Sequence, residues 1–92
     1  MIRSFRSKAL KRFAESGDSS KLSVPNIDRV GRILRLLTEA KYPDALNISG
    51  FKFHRLKGAD KDRYSVWVGG NYRITFGWEG EDAVGVDLED YH

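Results

Sequence analysis

Apolar and polar positions alternate most regularly between Tyr64 and Trp78, on both sides of Gly69-Gly70-Asn71. β-branched and aromatic residues at that period mark two strands, and the Gly-Gly-Asn triplet supplies the backbone freedom of a tight hairpin loop. Pairing sets the expected register. A two-residue loop at Gly69-Gly70 would oppose Val66 to Arg73 and mix charge into an apolar face. A three-residue loop, Gly69 to Asn71, opposes Val68 to Tyr72, Val66 to Ile74 and Tyr64 to Phe76. One face is then wholly apolar and can be buried. Ser65, Trp67, Arg73 and Thr75 fall on the other face, which reads equally well as a solvated surface or as a cation and an indole held out on a rigid sheet.

The remaining pattern divides between helical and extended periods. Ile2-Arg-Ser-Phe5 alternates and is a candidate first strand. Ser7 can cap a helix carrying Leu10, Phe13 and Ala14, with Gly17 placed to end it. Asp18 to Leu22 is polar and reads as a loop. Ser23 is the next N-cap candidate, with Pro25 in the first turn. Ile27, Val30, Leu34 and Leu37, with Ile33 and Ala40 beside them, form one apolar stripe on a helix of about four turns. Arg29, Arg32 and Arg35 lie on its polar flank as a solvated surface. Lys41 to Gly50 reads as a loop, and Phe51 to Leu56 as a strand closed by Lys57-Gly58. Ala59 to Asp62 is a charged turn. Ala83 to Asp90 is the last strand, with Val84, Val86 and Leu88 on one face and Asp87 and Glu89 on the other. The order β, α, α and then four strands predicts a single α+β domain over 1–92. Two N-terminal helices pack on one face of a mostly antiparallel sheet, and the opposite face stays open to a partner.

Composition narrows the function classes. The chain has 92 residues and 40% hydrophobic content, enough for one globular core, with an expected stability of roughly 5–14 kcal/mol. Cysteine is absent, which excludes disulfides and thiolate chemistry. No run is long enough to span a membrane and the first residues lack a signal-peptide core, so the expected compartment is the cytoplasm. A net charge of +3 favours a polyanionic partner only weakly.

Motif tests exclude a phosphate-binding glycine loop, because Gly69-Gly70 sits in a hairpin and not between a strand and a helix. His54 and His92 lack a metal-ligand spacing, and no nucleophile elbow is present, so no metal or cofactor is expected. Three clusters remain: His54-Arg55-Leu56-Lys57-Gly58, Arg73 on the open face, and the terminal Asp87-Leu-Glu-Asp90-Tyr91-His92. Together they supply an acid/base pair, two fixed cations and an aromatic platform. Those are the parts needed to cleave RNA by its own 2′-hydroxyl: a base for the 2′-OH proton, a cation for the charge building on phosphate, and an acid for the leaving 5′-oxygen. Strict alternation puts His54 on the side of Leu56, so this reading needs a twist or bulge to bring it to the open face. Otherwise His54 is a satisfied histidine near the core.

At these residues the sequence resembles the HigB toxins of the RelE superfamily, the killer components of bacterial type II toxin–antitoxin systems. The resemblance lies in His54-Arg-Leu56-Lys57-Gly58, Tyr64-Ser-Val, Asn71-Tyr-Arg73-Ile-Thr-Phe76 and Glu89-Asp90-Tyr91-His92, with Ile2-Arg-Ser-Phe5 and the overall length in agreement. It spans the chain and is densest from Phe53 onward. Tyr72 stands where such toxins usually have Trp, and Arg55 occupies a variable position. The resemblance implies a microbial-ribonuclease-like, RelE-like α+β fold and cleavage of messenger in the ribosomal A site. It implies a cognate helix-turn-helix antitoxin of the HigA kind, through which alone the complex would reach operator DNA. By position it implies catalytic roles for His54, Asp90, Tyr91 and His92, and phosphate-holding roles for Lys57 and Arg73. Two other readings differ in class. One is a non-catalytic RNA- or ribosome-binding module that blocks translation by occupancy, which would need Lys57 and Arg73 but neither histidine. The other is a structural partner of a DNA-binding repressor.

Overall fold

The computed structural model describes residues 1–56 and 63–90. Helix α1 (Lys8–Ser16) and helix α2 (Ile27–Glu39) precede strands β1 (His54–Leu56), β2 (Arg63–Gly69), β3 (Tyr72–Glu79) and β4 (Asp82–Asp90). The strands form one antiparallel sheet in the order β1-β2-β3-β4, so the fold is α+β. The N-terminal segment does lie beside the sheet, as two isolated parallel bridges to β4, Ile2 to Ala83 and Phe5 to Val86. Among the described residues no helix is long and apolar enough to cross a membrane.

Local chemistry explains the helix ends. Ser7 Oγ accepts from Leu10 N–H at 3.1 Å, and Gly17, at φ +76°, donates its N–H to the Phe13 carbonyl at 2.9 Å. The cap of α2 differs from expectation. Asn26, not Ser23, accepts from Arg29 N–H at 3.0 Å. Asn caps as well as Ser, and it sits directly before the apolar stripe. Pro25 is therefore outside the helix, and its Cγ would lie 3.1 Å from a Cβ placed on Gly69 of the hairpin. The segment expected as loop from Lys41 contains a 3-10 turn, Pro43–Leu46, that buries Leu46.

Leu10 of α1, Val30, Ile33, Leu34 and Leu37 of α2, and Tyr64, Val66, Val68, Ile74, Phe76, Ala83 and Val86 of the sheet form one core. Phe53, Tyr64 and Phe76 stack in sequence across it, at centroid distances of 5.7 and 5.6 Å.

Three strand expectations are corrected. The hairpin keeps its inner register, Tyr64 to Phe76 and Val66 to Ile74, but Gly69 pairs with Tyr72, and the extra residue is absorbed by a bulge at Val68. The loop is thus two residues, Gly70-Asn71, and Val68 does not face Tyr72. In β4 a second irregularity between Thr75 and Gly77 of β3 places Gly85, at φ +57°, as the extra residue. A bulge shifts the two-residue period by one. Ala83 consequently takes the core position expected for Val84, which turns to the opposite face against Gly77. The strand expected from Phe51 starts only at His54. Lys52 adopts φ +50° and breaks it, while Phe51 is buried and its carbonyl accepts from Trp67 N–H at 2.6 Å.

Candidate active site

Directly paired residues in an antiparallel sheet point to the same side. The pairings His54 to Ser65, Ser65 to Thr75 and Thr75 to Asp87 therefore define one cross-sheet row on the face away from the core. A neighbouring row runs Trp67, Arg73, Glu89. His54 thus reaches the face of Arg73 with no bulge in β1. Leu56 is not its core-side anchor: Leu56 pairs with Arg63 and shares the outer face. The inward side of this edge is Phe53 and Arg55, whose guanidinium stands 5.8 Å from the Tyr64 ring centroid. From strand spacing and rise, the His54 and Arg73 Cα atoms lie about 12 Å apart, within joint reach of an exposed imidazole and an arginine.

Residues that periodicity placed on a solvated face are in part buried here. Ser65 and Thr75 are fully buried. Thr75 Oγ1 accepts from Arg63 Nη2 at 3.1 Å and donates to Glu89 Oε2. Arg63 Nη2 also donates to the Gly85 carbonyl at 2.8 Å. One guanidinium thereby ties β2 to β3 and β4, and one hydroxyl carries the tie on to Glu89, the strand partner of Arg73. Ser65 Oγ has no hydrogen-bond partner among the described residues, in the middle of the His54 row. Burial pushes the Arg63 pKa down, with the Arg6 charge adding to it, while Glu89 and Asp87 oppose the shift. A guanidinium stays protonated in spite of such shifts, so the site keeps a fixed positive charge.

Trp67 does not stand free on this face. Its ring lies 5.3 Å from the Arg29 guanidinium and 4.5 Å from Lys52 Nζ, and its Nε1 donates to the Gly70 carbonyl at 2.9 Å. Arg29 also stacks on Phe51 at 5.3 Å and donates to the Gly50 carbonyl, so it is a clamp between α2 and the hairpin and not the solvated charge expected of that flank.

Asp90 is the last described residue of β4. It is exposed and pairs with Tyr72, which by alternation aims it to the side opposite Glu89. Lys57, Tyr91 and His92 lie outside the described residues. Sequence reasoning missed Arg63, Thr75 as a relay, and Arg6. The available signal was glycine at Gly77 and Gly85 in adjacent strands, where a bulky outer-face side chain such as arginine needs room.

The comparisons with known proteins agree with one another. A family profile described as the RelE-like toxin of type II toxin–antitoxin system HigB matches residues 3–92. The Endoribonuclease HigB of Proteus vulgaris is 37% identical over 92 residues, covering the whole of both chains.

Proposed function

The chain belongs to the HigB-type RelE-like toxins of type II toxin–antitoxin systems, and from that premise we propose that it is an endoribonuclease which cleaves messenger in the ribosomal A site and is neutralised by a cognate antitoxin. The observation that carries this reading is the outer sheet face. His54 and Arg73 stand in adjacent rows of it, on one rigid sheet. β4, whose Glu89 pairs with Arg73, leads into Tyr91 and His92.

The chemistry is transesterification. A base, His54 or His92, takes the 2′-OH proton, and the resulting alkoxide attacks the adjacent phosphorus. The bond to the 5′-oxygen breaks, and that oxygen takes a proton from the partner acid, leaving a 2′,3′-cyclic phosphate. Arg73 and Lys57 stabilise the charge that grows on the phosphoryl oxygens. Asp90, at the end of β4, holds the strand terminus that carries the tail, and Tyr91 stacks on a base. The RelE-like arrangement, with both helices behind the sheet, leaves the outer face to the RNA. The face offers few stacking groups, since Trp67 is already clamped, so the ribosome supplies the substrate's placement. The antitoxin is a HigA-like helix-turn-helix protein that carries the complex to operator DNA, and the site of action is the bacterial cytoplasm.

Expression without antitoxin, paired with single-turnover cleavage of messenger on programmed ribosomes, tests the proposal. Wild type arrests growth and cuts in the A site far faster than it cuts naked RNA. His54→Ala folds, because His54 is exposed at a sheet edge, and loses cleavage. A His54→Ala protein that still arrests growth without cutting would support the occupancy reading. Equal rates on naked and ribosome-bound messenger would make the protein a general ribonuclease.

A further inference from the structure

Beyond Arg73, the outer face holds a second concentration of positive charge at its other end. A Cβ built on Gly85 would stand 3.2 Å from Arg63 Nη1 and 3.3 Å from Arg6 Nε, so two guanidinium groups converge on one point of β4. A Cβ on Gly77 of β3 would lie 3.7 Å from the same Arg63 Nη1. The two glycines leave a bed that an ordinary side chain would fill, and Arg63 occupies it.

Like charges this close repel each other. Neither guanidinium has a carboxylate ion-pair partner among the described residues. Among the described residues Arg63 uses Nη2 for two hydrogen bonds, to Thr75 Oγ1 and the Gly85 carbonyl. Its Nη1 and Nε donors have no partner among the described residues, and the exposed Arg6 side chain has none either. Arg6 is held in place through its backbone, whose N–H donates to the Val86 carbonyl at 2.8 Å. Two guanidiniums side by side, with donors unspent, match the oxygens of a phosphodiester.

We propose that Arg6 and Arg63 form a second phosphate-binding site, which takes a backbone phosphate of the RNA strand flanking the one at His54 and Arg73. This rests on the endoribonuclease reading of the same face. Arg63 lies four residues before Trp67, the partner of Arg73, which is about 13 Å along the strand, with the His54 row between them. An RNA strand laid along the sheet meets Arg73, then the His54 row, then the Arg6–Arg63 pair. Asp87 and Glu89 on β4 repel the backbone at the His54 and Arg73 rows, so it reaches β4 only at Gly85. Glu89 is held back by Thr75, and Asp87 Oδ1 accepts from Leu88 N–H at 2.9 Å.

The test is an NMR titration of the full chain with a 2′-O-methyl hexaribonucleotide, which lacks the nucleophile and cannot be cut. The amides of Gly85 and Thr75 should shift on binding. Arg6→Ala should bind about 3- to 10-fold more weakly, and its log–log salt dependence should be shallower by about 0.7, the share of one phosphate contact on a single strand. Arg6→Lys should recover most of the loss. A methylphosphonate at one internal position should weaken wild type by a similar factor and add nothing in Arg6→Ala. Absence of shifts at Gly85 and Thr75, equal affinity of Arg6→Ala and wild type, or simple addition of the two losses would overturn the proposal. Unchanged RNA binding with a weakened antitoxin complex would also overturn it and make the pair a protein-docking site. Wild-type cleavage on programmed ribosomes is read separately, so failure of this site and failure of the enzymatic reading are distinguishable.

Discussion

Thr75→Val replaces a fully buried hydroxyl with a methyl of nearly the same volume, so it tests the relay on the outer face without altering packing. Two hydrogen bonds to charged groups are lost: the 3.1 Å bond from Arg63 and the bond to Glu89. Bonds of that kind contribute about 1.5–3 kcal/mol each when the partners are left stranded. Neither partner is fully stranded here. Arg63 keeps the Gly85 carbonyl at 2.8 Å, and Glu89 is only half-buried and regains water. Valine also favours a strand slightly more than threonine does. The net loss should be about 1–2 kcal/mol, which lowers Tm by about 5–15 °C in a domain of this size. That is a sizeable fraction of the whole stability, yet it leaves the protein folded at 25 °C. Thermal and urea unfolding of wild type, Thr75→Val, Glu89→Gln and the double variant measure it. The double variant should be more stable than the two single losses predict, by about 0.5–1.5 kcal/mol, because Thr75→Val removes the bond whose charge-assisted share Glu89→Gln removes. A Thr75→Val protein melting at or above wild type, or strictly additive losses, would refute the relay.

Arg73→Ala should slow single-turnover cleavage on the order of 10²-fold with a smaller effect on ribosome binding, because a fixed guanidinium acts chiefly on charge developed in the transition state; an unchanged rate with weaker binding would make it a positioning residue. Gly85→Ala and Gly17→Ala both force alanine into the left-handed region, at about 1–2 kcal/mol each. Only Gly85→Ala also meets Arg63 and Arg6, so it should melt several degrees lower than Gly17→Ala, whose Cβ would meet nothing within 4 Å. Asp18 accepts from Ser20 N–H and pairs with Arg12; the Ser20 hydrogen bonds foremost, then Arg12, hold its pKa down to about 2 from 3.8. Its contribution is therefore complete above pH 4 and is lost as pH falls toward 2, so the Tm difference between wild type and Asp18→Asn should be constant near neutrality and shrink across that interval.

Periodicity carried much of the fold and failed at identifiable residues. The stripe from Ile27 to Leu37, the Ser7 cap and the Gly17 stop follow from local chemistry and are all present. The register error at Val68 and the face error at Val84 share a cause. A bulge inserts one residue into a two-residue period, and glycines such as Gly69 and Gly85 permit it without announcing which side bends. His54 was legible as chemistry but not as geometry. Its face depends on pairing with Ser65, and Leu56 misled because an apolar residue at a short edge strand need not face the core. Arg63 was invisible to motif reasoning. Its environment is built from Gly77, Thr75 and Gly85 on two other strands, a coincidence that only the assembled sheet creates.

The pairing of the N-terminal segment with β4 bears on the order in which the protein folds. Ser4 Oγ accepts from Gly85 N–H across 81 residues of chain, and Phe5 bridges Val86. The segment from Ile2 to Phe5 therefore has no sheet partner until β4 is in place. Contacts of that separation close late, after the helices and the β2–β3 hairpin have their local partners. Arg6 reaches its place beside Arg63 only at that final step, so the outer face is completed by the last long-range contact of folding. A partner that met the sheet before that step would find its Gly85 end without the Arg6 charge.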